Sequence, residues 1–325
     1  MTREMSRSRS NRPARSLVNW CFAAILFIPA CGGGGQASNS STPVVDARAA
    51  ELSRVKEAVV PFFETIHIEA GDWLESHPED GQTFEEYLAI QPTLPTTERD
   101  TIVIQPIGDF TSEQRKALRL TADYMRAFYG LRVRLEPEQA LGKVPAGMTR
   151  IRYPNNLQIR TSYFLDGVLP KMLPTDATAF LVFTSSDLFP DEQWNYVFGQ
   201  ASLESRVGVY SLFRLGEKSK GQAAFEKLLD RTLKIAVHET GHMFSMLHCT
   251  KYECLMSGTN HLQETDRRPL DVCPECMAKI AWALNYDPVP RYLNLAAFWK
   301  KIGRPGEEKQ MRAKAAAVAA VAKAK

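Results

Sequence analysis

The sequence predicts an α+β fold: a mixed sheet, one long site-bearing helix and a small C-terminal helical part. Three observations predict it. From Thr101 onward, short apolar runs of strand length alternate with segments of helical period. Residues 222–244 form one uninterrupted amphipathic stretch, and four cysteines fall in two close pairs within 249–276. A chain of 325 residues, 44% apolar and 24% charged, suits a globular body with a substantial core.

At the N-terminus, Arg3, Arg7, Arg9, Arg12 and Arg15 precede an apolar run over 17–30, interrupted by Asn19 and Pro29. This reads as an export signal, since a membrane-spanning helix needs about 20 apolar residues. The run ends Ile28-Pro29-Ala30-Cys31, the pattern of a bacterial lipobox, which predicts a lipoprotein signal peptide over 1–30 and acylation of Cys31. A plain secretory signal with an incidental cysteine is the alternative. The glycines at 32–35 and the Ser/Asn stretch behind them read as a flexible tether over 31–50. The expected location is the bacterial cell envelope, with a lipid anchor in the membrane at the periplasmic face of the outer membrane.

Residues 1–30 hold five arginines and one glutamate, which leaves 35 basic against 36 acidic groups from totals of 40 and 37. A near-neutral body argues against nucleic acid as a partner, because a polyanion demands a basic surface. Helical spacing over 47–70 places a helical extension at 51–100. Strands are expected at 101–104, 131–135, 179–184, 196–198 and 207–213, and helices at 111–129, 162–172, 222–244, 276–284 and 291–302. The principal domain is drawn at 101–303. The tail over 304–325 alternates Ala with Lys and Arg, and with few large apolar groups it reads as a solvated helix.

The chemistry lies on the long helix. His238-Glu239-Thr240-Gly241-His242 is H-E-x-x-H, and histidines four apart project from one helix face, where both imidazoles can meet one metal. Alone, the pentapeptide also fits two ordinary core or surface histidines. His248 follows at the spacing of the extended H-E-x-x-H-x-x-G-x-x-H pattern, giving a third ligand and leaving one coordination position open. Zinc in such a site lowers the pKa of its water to about 7, with Glu239 placed to accept the proton. Ser245 stands where the pattern has Gly; if the turn there is left-handed, the serine costs about 1–2 kcal/mol.

Directly after His248 come Cys249 and Cys254, and then Cys273 and Cys276. Paired cysteines joined by a loop are the signature of a tetrahedral zinc site, while two disulfides are the alternative in an oxidising compartment. His261, Arg267 and Arg268 read as surface groups.

The run from His238 through His248, Cys249, Cys254 and Met256 to Cys273-x-x-Cys276 resembles the archaemetzincin signature. Stretches 104–110, 161–163 and 194–201 resemble that family as well, so the resemblance covers about 101–290. It implies a metzincin-like zincin fold with a zinc-stabilised C-terminal subdomain, and a zinc metallopeptidase acting on a peptide or protein substrate, with an aminopeptidase-like preference for short peptides. It further implies two zinc ions per chain: a catalytic one on His238, His242 and His248, and a structural one on the four cysteines. Met256 would be the Met-turn residue beneath the histidines, and the edge strand near 197–202 would pair with the substrate. The rival reading is a catalytically silent zinc-binding envelope lipoprotein with a recognition or assembly role, for which Ser245 is the one hint and against which Glu239 speaks.

Overall fold

The computed structural model describes residues 46–152, 155–202, 205–216 and 220–323. The signal peptide, Cys31 and most of the expected tether lie outside the described residues. The rest of that tether is ordered: Asp46 caps helix α1 (Ala47–Val55), accepting the Arg48 and Ala49 amides on its carboxylate. A 3-10 helix carrying Pro61 follows over Lys56–Phe62. Next come the short helices α2 (Trp73–Ser76) and α3 (Phe84–Ala89), the latter opened by a Thr83/Glu86 capping box.

The main sheet begins with β1 (Thr101–Ile107), crosses over through α4 (Ser112–Tyr129) and returns as β2 (Arg132–Leu135). Helix α4 starts and stops where its sequence says it should. Thr111 and Gln114 form the N-terminal box, and Gly130 takes the left-handed conformation at φ 67° beyond the last turn. Strands β3 (Thr149–Arg152) and β4 (Asn156–Arg160) form a hairpin that the sequence reading did not find. The helix expected at 162–172 is a π-helical turn over Tyr163–Val168 running into α5 (Leu169–Met172). Strands β5 (Ala177–Thr184), β6 (Asp187–Phe189), β7 (Gly199–Ser202) and β8 (Val207–Ser211) complete the sheets. The strand expected at 196–198 is displaced; Val197 makes only an isolated bridge to Leu188.

The five-stranded sheet has the order β2-β1-β5-β8-β7, parallel throughout except for the antiparallel edge strand β7. A three-stranded sheet, β3-β4-β6, stands beside it. Both faces of the central strands are covered, which is why β1 and β5 are mostly apolar and buried along their whole length. Ile102, Ile104, Leu181 and Phe183 face one core, shared with α4 and the long helix α6 (Gln222–Met243). Val103, Phe180 and Val182 face the other, with Phe164, Leu169 and Leu188.

Helices α7 (Leu262–Arg267), α8 (Pro274–Ala283), α9 (Pro288–Lys301) and α10 (Pro305–Lys323) follow α6. They do not form a subdomain apart. Leu52, Val59, Phe84 and Tyr87 of the extension belong to the same core as Leu233 of α6, Met277 of α8 and Trp299 of α9. The tail departs from the solvated helix expected of it, because Met311, Ala315 and Val318 of α10 are buried in this core too.

Two candidate metal centres

Helix α6 carries buried polar groups in its last two turns, the mark of a site and not of a packing surface. Glu239 is 5% exposed and His242 3%. His238 and His242 lie on one face, with ring centroids 4.6 Å apart and Nε2 atoms 2.9 Å apart. In each ring Nδ1 meets a backbone carbonyl, Leu255 O at 3.0 Å and Met246 O at 2.6 Å. A carbonyl can only accept, so Nδ1 donates the proton and Nε2 keeps its lone pair for a metal. Burial also lowers the His238 pKa to about 3 and that of His242 well below its ordinary value, favouring the neutral form that ligates.

The chain leaves the helix in a tight turn, with Met246 N donating to Gly241 O at 3.1 Å, and brings His248 back. Its ring centroid stands 5.2 Å from that of His238 and 4.9 Å from that of His242. Ser245 has φ +64°, so the turn does require the left-handed backbone. Its side chain is used: Ser245 Oγ accepts the Thr93 amide at 3.0 Å.

One ligand atom from each histidine falls within 4.8 Å of the others. Tetrahedral zinc with Zn–N bonds near 2.0–2.1 Å spaces its nitrogens by roughly 3.4 Å, so the His238 and His242 nitrogens, 2.9 Å apart, need only open slightly to share the ion. Burial pushes the Glu239 carboxyl up to about 8. Met256 is fully buried and packs on α6 where Gly241 has no side chain. A Cβ there would lie 2.6 Å from Met256 Sδ.

The four cysteines form a second centre in the same segment. Cys249, Cys254, Cys273 and Cys276 are buried and free, with their sulfurs within 4.8 Å of one another. Cys249 and Cys273 are 3.5 Å apart, far from the 2.03–2.05 Å of a disulfide and close to the roughly 3.8 Å spacing of thiolates on tetrahedral zinc. Amides of Met256 and Cys273 point at Cys254 Sγ at 3.4 and 3.2 Å, as they would toward a thiolate. Hydrogen bonds from Cys254, Cys273 and Cys276 lower the Cys249 pKa, while burial raises those of Cys254 and Cys273. Four thiolates this close together need a cation between them.

One other expectation is corrected. Arg268 is 4% exposed, not solvated, and pairs with Glu253 and with Glu264 at 2.7 Å. Arg267 pairs with Asp72 at 2.7 Å and Glu69 at 3.1 Å. His261 is no ligand of either zinc candidate: its Nδ1 accepts the Glu264 amide and opens α7. Gly199 makes room for the Tyr210 ring, since a Cβ would lie 2.2 Å from Tyr210 Cδ1; enlarging it would disturb the sheet itself. Sequence reasoning placed a helical extension at 51–100 but gave it no part in the site. Glu79 stands 2.8 Å from His248 Nδ1, and Gln82 accepts the Leu247 amide at 3.2 Å. No local pattern could have announced contacts made across more than 160 residues.

Comparison with known proteins places the chain among relatives of known family. The model of peptidase family M54 matches residues 147–282. Archaemetzincin-2 of Mus musculus is 34% identical over 279 residues, covering 75% of this chain and 77% of that protein. Archaemetzincin-2 of Homo sapiens is 36% identical over 265 residues, covering 70% and 71%. A crystal structure of archaemetzincin from Methanopyrus kandleri has a TM-score of 0.46 and 24% identity, covering 59% of this chain and 98% of that one. The protein is therefore a zinc metallopeptidase, a hydrolase. It belongs to the archaemetzincin family.

Proposed function

We propose that the histidine centre hydrolyses peptide bonds with Glu239 as general base and then general acid, acting on short peptides with an aminopeptidase-like preference. The observation that carries the reading is the convergence of His238, His242 and His248 beside the buried Glu239 carboxyl of α6. Zinc on the three imidazoles would supply a Lewis acid that brings the pKa of water to about 7. Glu239 takes the proton of the attacking water and returns it to the leaving amine. Burial, which raises the proton affinity of this carboxyl, suits it to hold the proton between the two steps.

A cavity of about 20 Å³ beside His238 and Glu239, lined also by Lys234, Leu255, Ser257 and Arg268, has room for a water molecule next to the site. The antiparallel edge strand β7 suits backbone pairing with an extended peptide. The same proposal assigns a second, structural zinc to Cys249, Cys254, Cys273 and Cys276. Ser245, the one hint of a silent protein, is accommodated by its bond to Thr93 and no longer favours that reading.

The test pairs zinc stoichiometry with peptide-library hydrolysis for the wild type and Glu239→Ala. Two zincs per chain are expected in both, with turnover lost by a factor of about 10²–10⁴ in the variant. Equal turnover would remove Glu239 from the mechanism, and two zincs with no turnover in either would favour a binding protein. The proposal retains the lipid anchor at Cys31 and an envelope location, on the strength of residues 1–31. Cys31→Ser should release the protein from membranes on fractionation; continued association would remove the anchor.

A further inference from the structure

We propose that Glu79 is the positioning residue of the third histidine, which makes the N-terminal extension a working part of the zinc site. The three imidazoles are oriented in two different ways. His238 and His242 rest their Nδ1–H groups on carbonyls of residues 255 and 246, supplied by the chain immediately after the helix. His248 has no such carbonyl. Its Nδ1 donates to both oxygens of Glu79, at 2.8 and 3.1 Å, across 169 residues of sequence.

A carboxylate on the far nitrogen of a ligating imidazole does three things: it fixes the tautomer, aims Nε2 and raises the basicity of the ligand. His248 needs this most, because it sits beyond the helix end on a turn that contains a left-handed serine.

Glu79 is itself held. The Trp73 indole Nε1–H donates to Glu79 Oε1 at 2.7 Å, and the indole stacks on the His77 ring at 4.0 Å while meeting His248 edge-on at 5.3 Å. Trp73 is only 8% exposed, and it fits because residue 258 is glycine: a Cβ there would lie 2.4 Å from its ring. The chain of contacts Gly258, Trp73, Glu79, His248 therefore runs from the loop after Met256 back to the metal ligand. Three residues further on, Gln82 accepts the Leu247 amide at 3.2 Å and is gripped by Lys279 of α8 at 3.1 Å. The strap over 73–82 thus holds the returning segment by two adjacent residues, His248 through its side chain and Leu247 through its backbone.

This inference rests on the histidine centre holding zinc, though not on the reaction performed there. Its test is therefore a binding measurement on the chain with the cysteine centre loaded. Zinc affinity at the histidines is read by chelator competition in the wild type, Glu79→Gln, Glu79→Ala and, as a control for a neighbouring charge, Asp80→Asn. Cobalt(II) serves as a second probe, because its thiolate charge-transfer band reports the cysteine centre separately.

The expected result is a loss of about 10-fold for Glu79→Gln and up to about 100-fold for Glu79→Ala, with Asp80→Asn at the wild-type value. The cobalt–thiolate band and the melting temperature of the protein without zinc at the histidines should be unchanged in all variants. Wild-type affinity in Glu79→Ala would overturn the inference alone. A melting temperature that falls in the absence of histidine-bound zinc would also overturn it, by making Glu79 a folding residue. A wild type that binds no metal at the histidines would overturn the reading of the centre together with this inference.

Discussion

Ser245 shows how a residue that breaks a pattern is absorbed by its surroundings. A serine at φ +64° carries a backbone cost that glycine avoids, about 1 kcal/mol, while its hydroxyl gains the Thr93 amide at 3.0 Å, worth a similar amount. The two effects nearly cancel in the wild type, and substitution separates them. Ser245→Gly removes both and should leave stability within about 0.5 kcal/mol of the wild type. Ser245→Ala keeps the strain, loses the bond and should cost about 1 kcal/mol. Urea denaturation of the two variants decides it; an alanine variant as stable as the glycine one would mean that the Thr93 contact contributes nothing. The sequence revealed that this position needs an explanation, because the ligand spacing was otherwise intact. It could not reveal the compensation, since Thr93 lies 152 residues away.

At the scale of the element, α6 was the most legible part of the molecule, and for a physical reason. Its 22 residues carry their own information: apolar spacing toward the core, histidines at four-residue separation and an acid between them. The hairpin β3–β4 was missed because its strands are only four and five residues long and their alternation is thin, with Ile151 in one strand and Leu157 and Ile159 in the other, of which Ile151 and Leu157 are exposed. Helix α6 also carries something that periodicity does not announce, a lysine on its buried side. Lys234 donates to the carbonyls of Thr265 and Asp266 at 2.8 and 3.1 Å, and burial lowers its pKa to about 8 against the attraction of Asp230 and Asp266. In the unfolded chain the same group titrates near 10.4. Its folded pKa is thus depressed: above about 10.4 both states are neutral and nothing is lost, and as pH falls toward 8 the unfolded state takes up the proton first and stability declines. Relative to Lys234→Met, the wild type should therefore gain stability as pH rises from about 8 to about 10.4, and the gap should be flat below 8. Denaturation curves of both proteins across that range test it; a gap independent of pH would show that the ammonium keeps its solvation in the fold.

At the scale of the whole molecule, the two ends of the described residues proved to be parts of one core, and composition had hidden this. Alternating Ala and Lys in residues 305–323 reads as a solvated helix because large apolar groups are scarce. The helix nevertheless docks, with Met311, Ala315 and Val318 packed inward and α9 and the 3-10 turn Lys56–Phe62 as its neighbours. Small alanines permit the close approach, and Lys314 supplies the anchor. Its ammonium lies 2.8 Å from Asp271 Oδ2, while the other carboxylate oxygen of Asp271 accepts from Arg291 at 2.8 Å. Asp271 stands two residues before Cys273, and its carbonyl accepts the Leu255 amide at 3.1 Å, so the tail braces the loop between Cys254 and Cys273 of the cysteine centre. A neighbouring pair offers an internal comparison. Lys301 meets Asp123 at nearly the same distance, 2.9 Å, but the side chains of that pair are 66% and 36% exposed, against 5% and 2% for Lys314 and Asp271. Distance alone would rank the two alike, whereas solvation separates them. In water an exposed pair gains little, so Lys301→Met should change stability by less than about 1 kcal/mol. Lys314→Met removes one of two cations from a buried carboxylate and leaves part of its charge uncompensated, which should cost about 3 kcal/mol and loosen zinc at the adjacent cysteines. Urea unfolding of both variants, followed by metal analysis, checks the contrast; equal losses would mean that the tail is held by its apolar face and that the ion pair is incidental.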